Sequence, residues 1–154
     1  MYKVIYITLC FCFFGLEVFP KPLNIYVDYA VFKKTERENI IEVYYGLMDT
    51  SLSYKKIGNK FVVNLSMKLQ MFALDSIIDT YEWQVYYEKQ NLERNSDNEN
   101  LLVGQKNFVI ASGENPKFVL SCTDDNDTTR KYHKTFDVEN PRFEPNKFML
   151  SDIE

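Results

Sequence analysis

The residues best suited to chemistry are one thiol and the chain's single imidazole. Cys122 and His133 lie on two successive runs of alternating residues, and a hairpin turning at Asp127–Thr128 would place them opposite each other. A thiol beside a base is the arrangement of an activated thiolate nucleophile. By alternation, however, Cys122 shares a face with Phe118 and Leu120, and no third group that would orient the imidazole is evident. We therefore interpret Cys122 as a core residue and predict no catalytic residue.

A run of acidic and amide side chains, Asp124-Asp125-Asn126-Asp127, has the oxygen ligands that calcium prefers. Calcium loops alternate their ligands with spacers and add a distal Glu and a Gly, and neither feature follows here. Asp and Asn are also common in turns, because their side chains hydrogen-bond to the nearby backbone. We interpret the run as a turn between two strands and predict neither a metal site nor a cofactor.

Aromatic residues could form a platform on which a sugar stacks. The candidates are Tyr44, Trp83 and Tyr86. Aromatic side chains are also good strand residues that pack across sheets, and Trp83 alternates in phase with Val85, so we predict that Trp83 packs in the core. N-glycosylation sequons, which matter only in a eukaryotic secretory pathway, occur at Asn64-Leu65-Ser66 and Asn126-Asp127-Thr128.

Size and composition indicate one folded domain. The chain has 154 residues, of which 45% are apolar and 16% aromatic, and this composition is sufficient for a real core. The net charge is −4 and the basic residues are scattered. We therefore expect no nucleic-acid partner.

The beginning of the chain has the pattern of an export signal. Lys3 precedes an apolar run of thirteen residues, Val4–Leu16, which is ended by Glu17. The run is too short to span a bilayer and lacks the alternation of a buried strand, which is the other interpretation. We predict a signal peptide over residues 1–20 that is cleaved between Gly15 and Lys21, and an uncleaved anchor stays open. Cys122 is then the only cysteine of the mature protein, which excludes an internal disulfide.

From Leu23 onward the apolar residues recur with the strand period of two. The clearest case is Lys60–Ala73, where apolar residues from Phe61 to Ala73 alternate with polar ones. Wound as a helix, this stretch would place Lys68 among apolar side chains. Further strands are predicted at Asn24–Phe32, Ile40–Met48, Leu52–Lys56, Tyr81–Glu88, Lys106–Ser112, Phe118–Thr123 and Tyr132–Val138.

Turn residues separate these runs. Gly58-Asn59 and Asp75-Ser76 are hairpin signals. The charged stretch Lys89–Asn100 has no periodicity, and we interpret it as a long mobile loop within one domain. Seven or eight strands of this kind predict an all-β, immunoglobulin-like sandwich of two antiparallel sheets over residues 23–154, with a closed barrel as the alternative. The Cys…Trp…Cys hallmark of antibody domains is absent.

Several segments together resemble the N-terminal region of bacterial proteins named for a Gly-Trp-x-Thr-Asp (GWxTD) motif. The motif itself is missing, and Trp83 lies in a different context, Tyr81-Glu82-Trp83-Gln84. In that family the motif belongs to a later region, so the resemblance implies a truncated or split member, or a variant that keeps only the first domain. The matching segments are Tyr29–Phe32, Ile41–Tyr45, Leu52–Tyr54, Lys60–Ala73, Phe118–Asp127 and Leu150–Glu154.

The resemblance implies an exported bacterial protein in the periplasm, the cell envelope or the medium, and it carries no site residues. We expect a non-enzymatic interaction or structural module of the cell envelope that contacts an unknown protein or envelope partner. Contact with a membrane is expected only through an uncleaved N-terminal segment. The alternative is a carbohydrate-binding or hydrolytic protein with a site on its loops.

Overall fold

A computed structural model describes residues 22–92 and 100–144. In these ranges the chain forms eight β-strands and a single turn of 3-10 helix, Asp49–Ser51. The strands are β1 (Ile25–Lys33), β2 (Glu38–Met48), β3 (Lys55–Ile57), β4 (Lys60–Ala73), β5 (Ser76–Lys89), β6 (Leu101–Ala111), β7 (Lys117–Asp124) and β8 (Asp127–Asp137).

The strands form two antiparallel sheets. Sheet A has the order β1-β2-β6, and sheet B has the order β5-β4-β7-β8, with β3 pairing the first residues of β4 on the same edge as β7. Apart from β3, this is an immunoglobulin-like order in which the fourth strand has joined the sheet of the third. The predicted two-sheet sandwich is confirmed, and the closed barrel is wrong.

The long central strand β4 has the predicted bounds and the predicted facing. Leu65 and Leu69 are fully buried between the sheets, whereas Lys68 points outward and lies 2.8 Å from Glu82 of β5. The apolar residues of β4 meet those of sheet A in one continuous core, which also contains Phe108 and Phe118 with their rings 4.9 Å apart.

Three strands begin five residues earlier than predicted, at Ser76, Leu101 and Asp127, whereas β2 and β7 begin only one or two residues early. Residues 76–80 of β5, for example, are all exposed, so no apolar alternation marks them. Backbone pairing with the neighbouring strands extends each ladder beyond the core. Strand β3 begins later than predicted because residues 49–54 cross from one sheet to the other.

The hairpin at Gly58-Asn59 is confirmed, and Gly58 has the positive φ (60°) that the first central residue of a type II′ turn requires. The next hairpin turns at Leu74-Asp75, one residue earlier than predicted. The predicted mobile loop lies largely outside the described residues, as does the predicted signal peptide over residues 1–20.

The stretch after β8 is fastened to the base of the sandwich. Val138 donates its backbone N–H to the carbonyl oxygen of Pro116, and the Asn140 side chain bonds to Asn39 and to two backbone carbonyls. Both asparagines are almost fully buried. These bonds hold residues 138–144 against the ends of β2 and β6.

Candidate functional site

The structure separates the thiol from the imidazole. Strand pairing places Cys122 opposite Tyr132, and His133 lies opposite Ser121 with its Nδ1 3.1 Å from the serine hydroxyl. The predicted juxtaposition of Cys122 and His133 is therefore wrong. The hairpin turns at Asp125-Asn126 rather than at Asp127–Thr128, and even with the register shift at Thr123/Asp124 Cys122 pairs one residue short of His133. The interpretation of Cys122 as a core residue is confirmed, since it is 2% exposed. Burial, with the nearby charges of Asp124 and Asp125, raises the pKa of the thiol to about 12.

The acidic run forms the β7–β8 turn, as predicted. Asp124 is fully buried, and its carboxylate accepts hydrogen bonds from the backbone N–H groups of Ser53 and Asn126. Its Oδ2 also lies 3.7 Å from the guanidinium of Arg130. The lone pairs of Asp124 are thus directed at protein donors. Within residues 22–92 and 100–144, no three His, Cys, Asp or Glu side chains are grouped as metal ligands.

A second buried carboxylate, that of Asp49, fixes the beginning of residues 49–54, the segment that crosses between the two sheets. Asp49 accepts a hydrogen bond from the Tyr54 hydroxyl and forms an ion pair with Lys89, whose ammonium lies over the Tyr54 ring. Burial, followed by the bond to Asp49, raises the pKa of Tyr54 strongly. Both carboxylates accept hydrogen bonds from residues 49–54, Asp124 from Ser53 and Asp49 from Tyr54. We therefore interpret the groups around Asp49 and Asp124 as stabilising this segment rather than as binding sites.

The three aromatic residues considered for a sugar platform lie on three different surfaces. Tyr44 is on the outer face of sheet A, Tyr86 is exposed on the outer face of sheet B, and Trp83 lies between the sheets. The indole N–H of Trp83 donates to the Tyr45 hydroxyl over 3.0 Å, and Lys106 lies 4.7 Å from the indole ring centroid. The prediction that Trp83 packs in the core is confirmed.

The outer face of sheet A contains a depression that we call the Gly46 trough. Tyr26, Gly46 and Val103 are aligned across the three strands, and their pairing places all three on the outer face. Tyr26 is 56% exposed and Val103 is 75% exposed. Because Gly46 has no side chain, the floor of the trough is backbone, with Leu101 folded over it; a Cβ at Gly46 would lie 3.0 Å from Leu101 Cδ1.

Polar groups border this apolar depression. Asp28, Tyr44 and Gln105 are aligned on the adjacent row of the sheet, and Lys134 of β8 reaches the lining from sheet B. The Tyr44 hydroxyl donates to the Glu42 carboxylate, and this bond is the main cause that raises the pKa of Tyr44. The trough is open to solvent and has a volume of about 680 Å³. That volume is within the range of about 300–1,000 Å³ that is usual for binding sites with apolar walls and a few polar groups.

The outer face of sheet B differs from that of sheet A in the polarity and charge of its side chains. Its central row consists of Glu82, Lys68, Ser121 and His133, all of them polar. On sheet A, by contrast, the charged residues at outward strand positions are all acidic. They are Asp28, Glu38 and Glu42.

The trough was not among the predicted sites, although Tyr44, which borders it, was a candidate for the sugar platform. Leu101 and Val103 precede the predicted start of β6 at Lys106, so they were not assigned to a strand. The trough also depends on the pairing of β2 with β6, which are far apart in the chain. The apolar sequence Leu101-Leu102-Val103 followed by Gly104, just before the predicted strand, was the available signal.

The chain matches no family model and is similar to no curated protein. The resemblance to the GWxTD proteins therefore remains a prediction. In the described part of the chain, no helix has the length and apolar composition needed to cross a bilayer.

Proposed function

We propose that this chain is an exported, non-enzymatic binding module of the bacterial cell envelope that holds a partner protein at the Gly46 trough. The observation that carries the proposal is the apolar depression formed by Tyr26, Gly46, Leu101 and Val103 on the outer face of sheet A. Large exposed side chains around a backbone floor suit the insertion of an apolar anchor residue. Export is supported by the apolar run Val4–Leu16, and the envelope location by the resemblance to GWxTD proteins.

The charges around the trough define the chemistry of the partner. Asp28 and Lys134 border the trough. The charged residues at the outward positions of sheet A are all acidic, so acidic groups outnumber basic ones around the trough. A segment with an apolar anchor followed by a basic residue would fill the trough and pair with Asp28. A second copy fits less well, because its Asp28 and Glu42 would face the same acidic groups with only Lys134 to offset them. The partner is therefore a different protein.

Site-specific photo-crosslinking in the producing cells tests this proposal. A photoreactive amino acid at Gln105 lies beside the trough, and the matched control at Gln84 is also an exposed glutamine on an edge strand, on the outer face of sheet B. We expect a discrete protein adduct from position 105 and none from position 84. Val103→Lys should reduce the adduct about tenfold, as expected for loss of an anchor contact.

Three results would contradict the proposal. The first is equal adducts from positions 105 and 84, and the second is an adduct with a second copy of the chain only. The third is a glycan adduct that Tyr26→Ala removes, which would favour the carbohydrate-binding alternative. The carbohydrate-binding alternative has a structural basis at the same site. Tyr26 and Tyr44 could stack on a sugar ring, and Asp28 and Gln105 could hydrogen-bond to its hydroxyls.

A further inference from the structure

The tip of the β4–β5 hairpin is apolar and projects into solvent. Leu74 is 95% exposed, Ile77 54% and Ile78 47%. Three large aliphatic side chains in five residues are unusual at a tight turn, where polar residues and glycine are usual. We call these three residues the hairpin tip.

The backbone of the hairpin tip is unfavourable for the residue that occupies it. Leu74 has a φ of 53°, in the left-handed region that glycine and asparagine tolerate and leucine does not. Its side chain makes so little contact with the rest of the domain that packing does not offset this cost. A leucine here lowers the stability of the isolated domain and adds an exposed apolar group.

A β-bulge directs the two isoleucines outward. Met71 pairs with Asp79, whereas the next residue, Phe72, pairs with Ile77, so Ile78 is an extra residue in β5. Bulges re-aim side chains that strict alternation would turn to opposite faces. As a result, two adjacent isoleucines are both about half exposed.

The charges beside the tip identify the kind of surface it fits. Asp75 lies in the turn and Asp79 just beyond it, and both are acidic. The nearest lysine in the ladder, Lys117, pairs with Phe72 and is itself opposite Asp137. An anionic membrane would repel the two aspartates. A pocket with an apolar floor and a basic rim would accept the leucine and attract them.

We propose that the hairpin tip is a second docking surface, which inserts Leu74 into an apolar, basic-rimmed pocket of a partner protein. The unfavourable φ and the exposure of Leu74 are then explained by binding rather than by folding. This surface is distinct from the Gly46 trough, which is on the outer face of the other sheet.

Leu74→Asn gives the sharpest test, because stability and binding should change in opposite directions. Asparagine tolerates the left-handed conformation, so the Tm of the purified domain should be equal to or higher than that of the wild type. A photoreactive amino acid at Ser76 should form a protein adduct in the producing cells, and Leu74→Asn should reduce it about tenfold. Asp75→Lys should also reduce it.

The matched control is the other hairpin of β4. Ile57 is 57% exposed beside the Gly58-Asn59 turn, so Ile57→Asn should leave the Ser76 adduct unchanged, and a photoreactive group at Asn59 should give no adduct. An adduct insensitive to Leu74→Asn would overturn the proposal, as would one formed only with lipid or with a second copy. Gly46→Ala in the same assay should leave the Ser76 adduct intact, which separates failure here from failure at the trough.

Discussion

Trp83 and Tyr45 join the two sheets through a hydrogen bond of 3.0 Å from the indole N–H to the phenol oxygen, with ring centroids 5.4 Å apart. The Tyr45 ring lies against Gly104, in the space that a side chain there would occupy. Burial is the main cause that raises the pKa of Tyr45. The Tyr45 side chain thus lies on the core side of sheet A, over Gly104. Its neighbour Gly46 lies on the opposite face, where it forms the floor of the trough.

The two glycines should therefore respond differently to a methyl group. Gly104→Ala would drive a Cβ into the Tyr45 ring and hydroxyl, and we expect it to lower the free energy of unfolding by about 1–3 kcal/mol. Gly46→Ala meets only the exposed end of Leu101, and relief of glycine's strand penalty should leave stability unchanged or raise it by up to about 1 kcal/mol. Urea unfolding measures both, and equal losses would show that the two positions are not on opposite faces.

The facing of β4 gives a second prediction. Leu65→Ala should cost roughly 2–5 kcal/mol, because it removes a fully buried side chain and leaves a cavity. Met67→Ala should behave similarly. Lys68→Ala should change the free energy of unfolding by about 0.5 kcal/mol or less, since a surface ion pair with Glu82 contributes little. A comparable loss at Lys68 would contradict the described facing.

The shielded thiol of Cys122 should react slowly with a maleimide in the native protein and quickly after unfolding, since its pKa of about 12 leaves almost no thiolate at neutral pH. His133→Ala should not alter this rate, because the imidazole lies opposite Ser121. Cys122→Ser should cost more stability than Cys122→Ala, because the hydroxyl would be buried among apolar groups. Fast native labelling that His133→Ala abolishes would refute the assignment of Cys122 to the core.

The same thiol predicts a pH dependence of stability. Its folded-state pKa lies above the ordinary value of 9.0, so unfolding releases a proton above that pH. The contribution of Cys122 to stability is therefore complete below about pH 9 and is lost as the pH rises toward 12. Tyrosines with raised pKa values act in the same direction, so the measurement is the difference between wild type and Cys122→Ala across this window. A difference that does not change with pH would contradict the prediction.

The ion pair of Asp124 and Arg130 should be strongly coupled. Arg130→Ala leaves a fully buried carboxylate without its charge partner and should cost about 3–5 kcal/mol. Removal of both side chains should cost less than the sum of the two single substitutions. A double-mutant cycle by chemical denaturation measures the coupling, and additive losses would show that the two residues stabilise the domain independently.

The sequence was sufficient to predict the bounds and the facing of a strand where one of its faces is buried along most of its length. Strand β4 is buried on one face along almost its whole length, so its alternation predicted both the bounds and the core residues. The pairing of Cys122 with Tyr132 could not be predicted from the turn residues, because a local irregularity at Thr123/Asp124 changes the register of the ladder beyond the turn. The Gly46 trough was not predicted from the sequence for a related reason. It is assembled from β1, β2 and β6, and sequence periodicity does not indicate which strands are neighbours.

The central claim, that the Gly46 trough is covered by a partner in the cell envelope, is tested most directly by cysteine footprinting. Val103→Cys and Thr135→Cys place thiols at exposed positions on the outer faces of sheet A and sheet B, where both native residues are β-branched. Labelling is measured on the peptide containing each new cysteine, so Cys122 and the cysteines of the predicted signal peptide do not contribute. In the purified protein both thiols should react quickly. In intact envelopes of the producing cells, Val103→Cys should react about tenfold more slowly while Thr135→Cys is unchanged. Equal labelling of both thiols in the envelope would contradict the account.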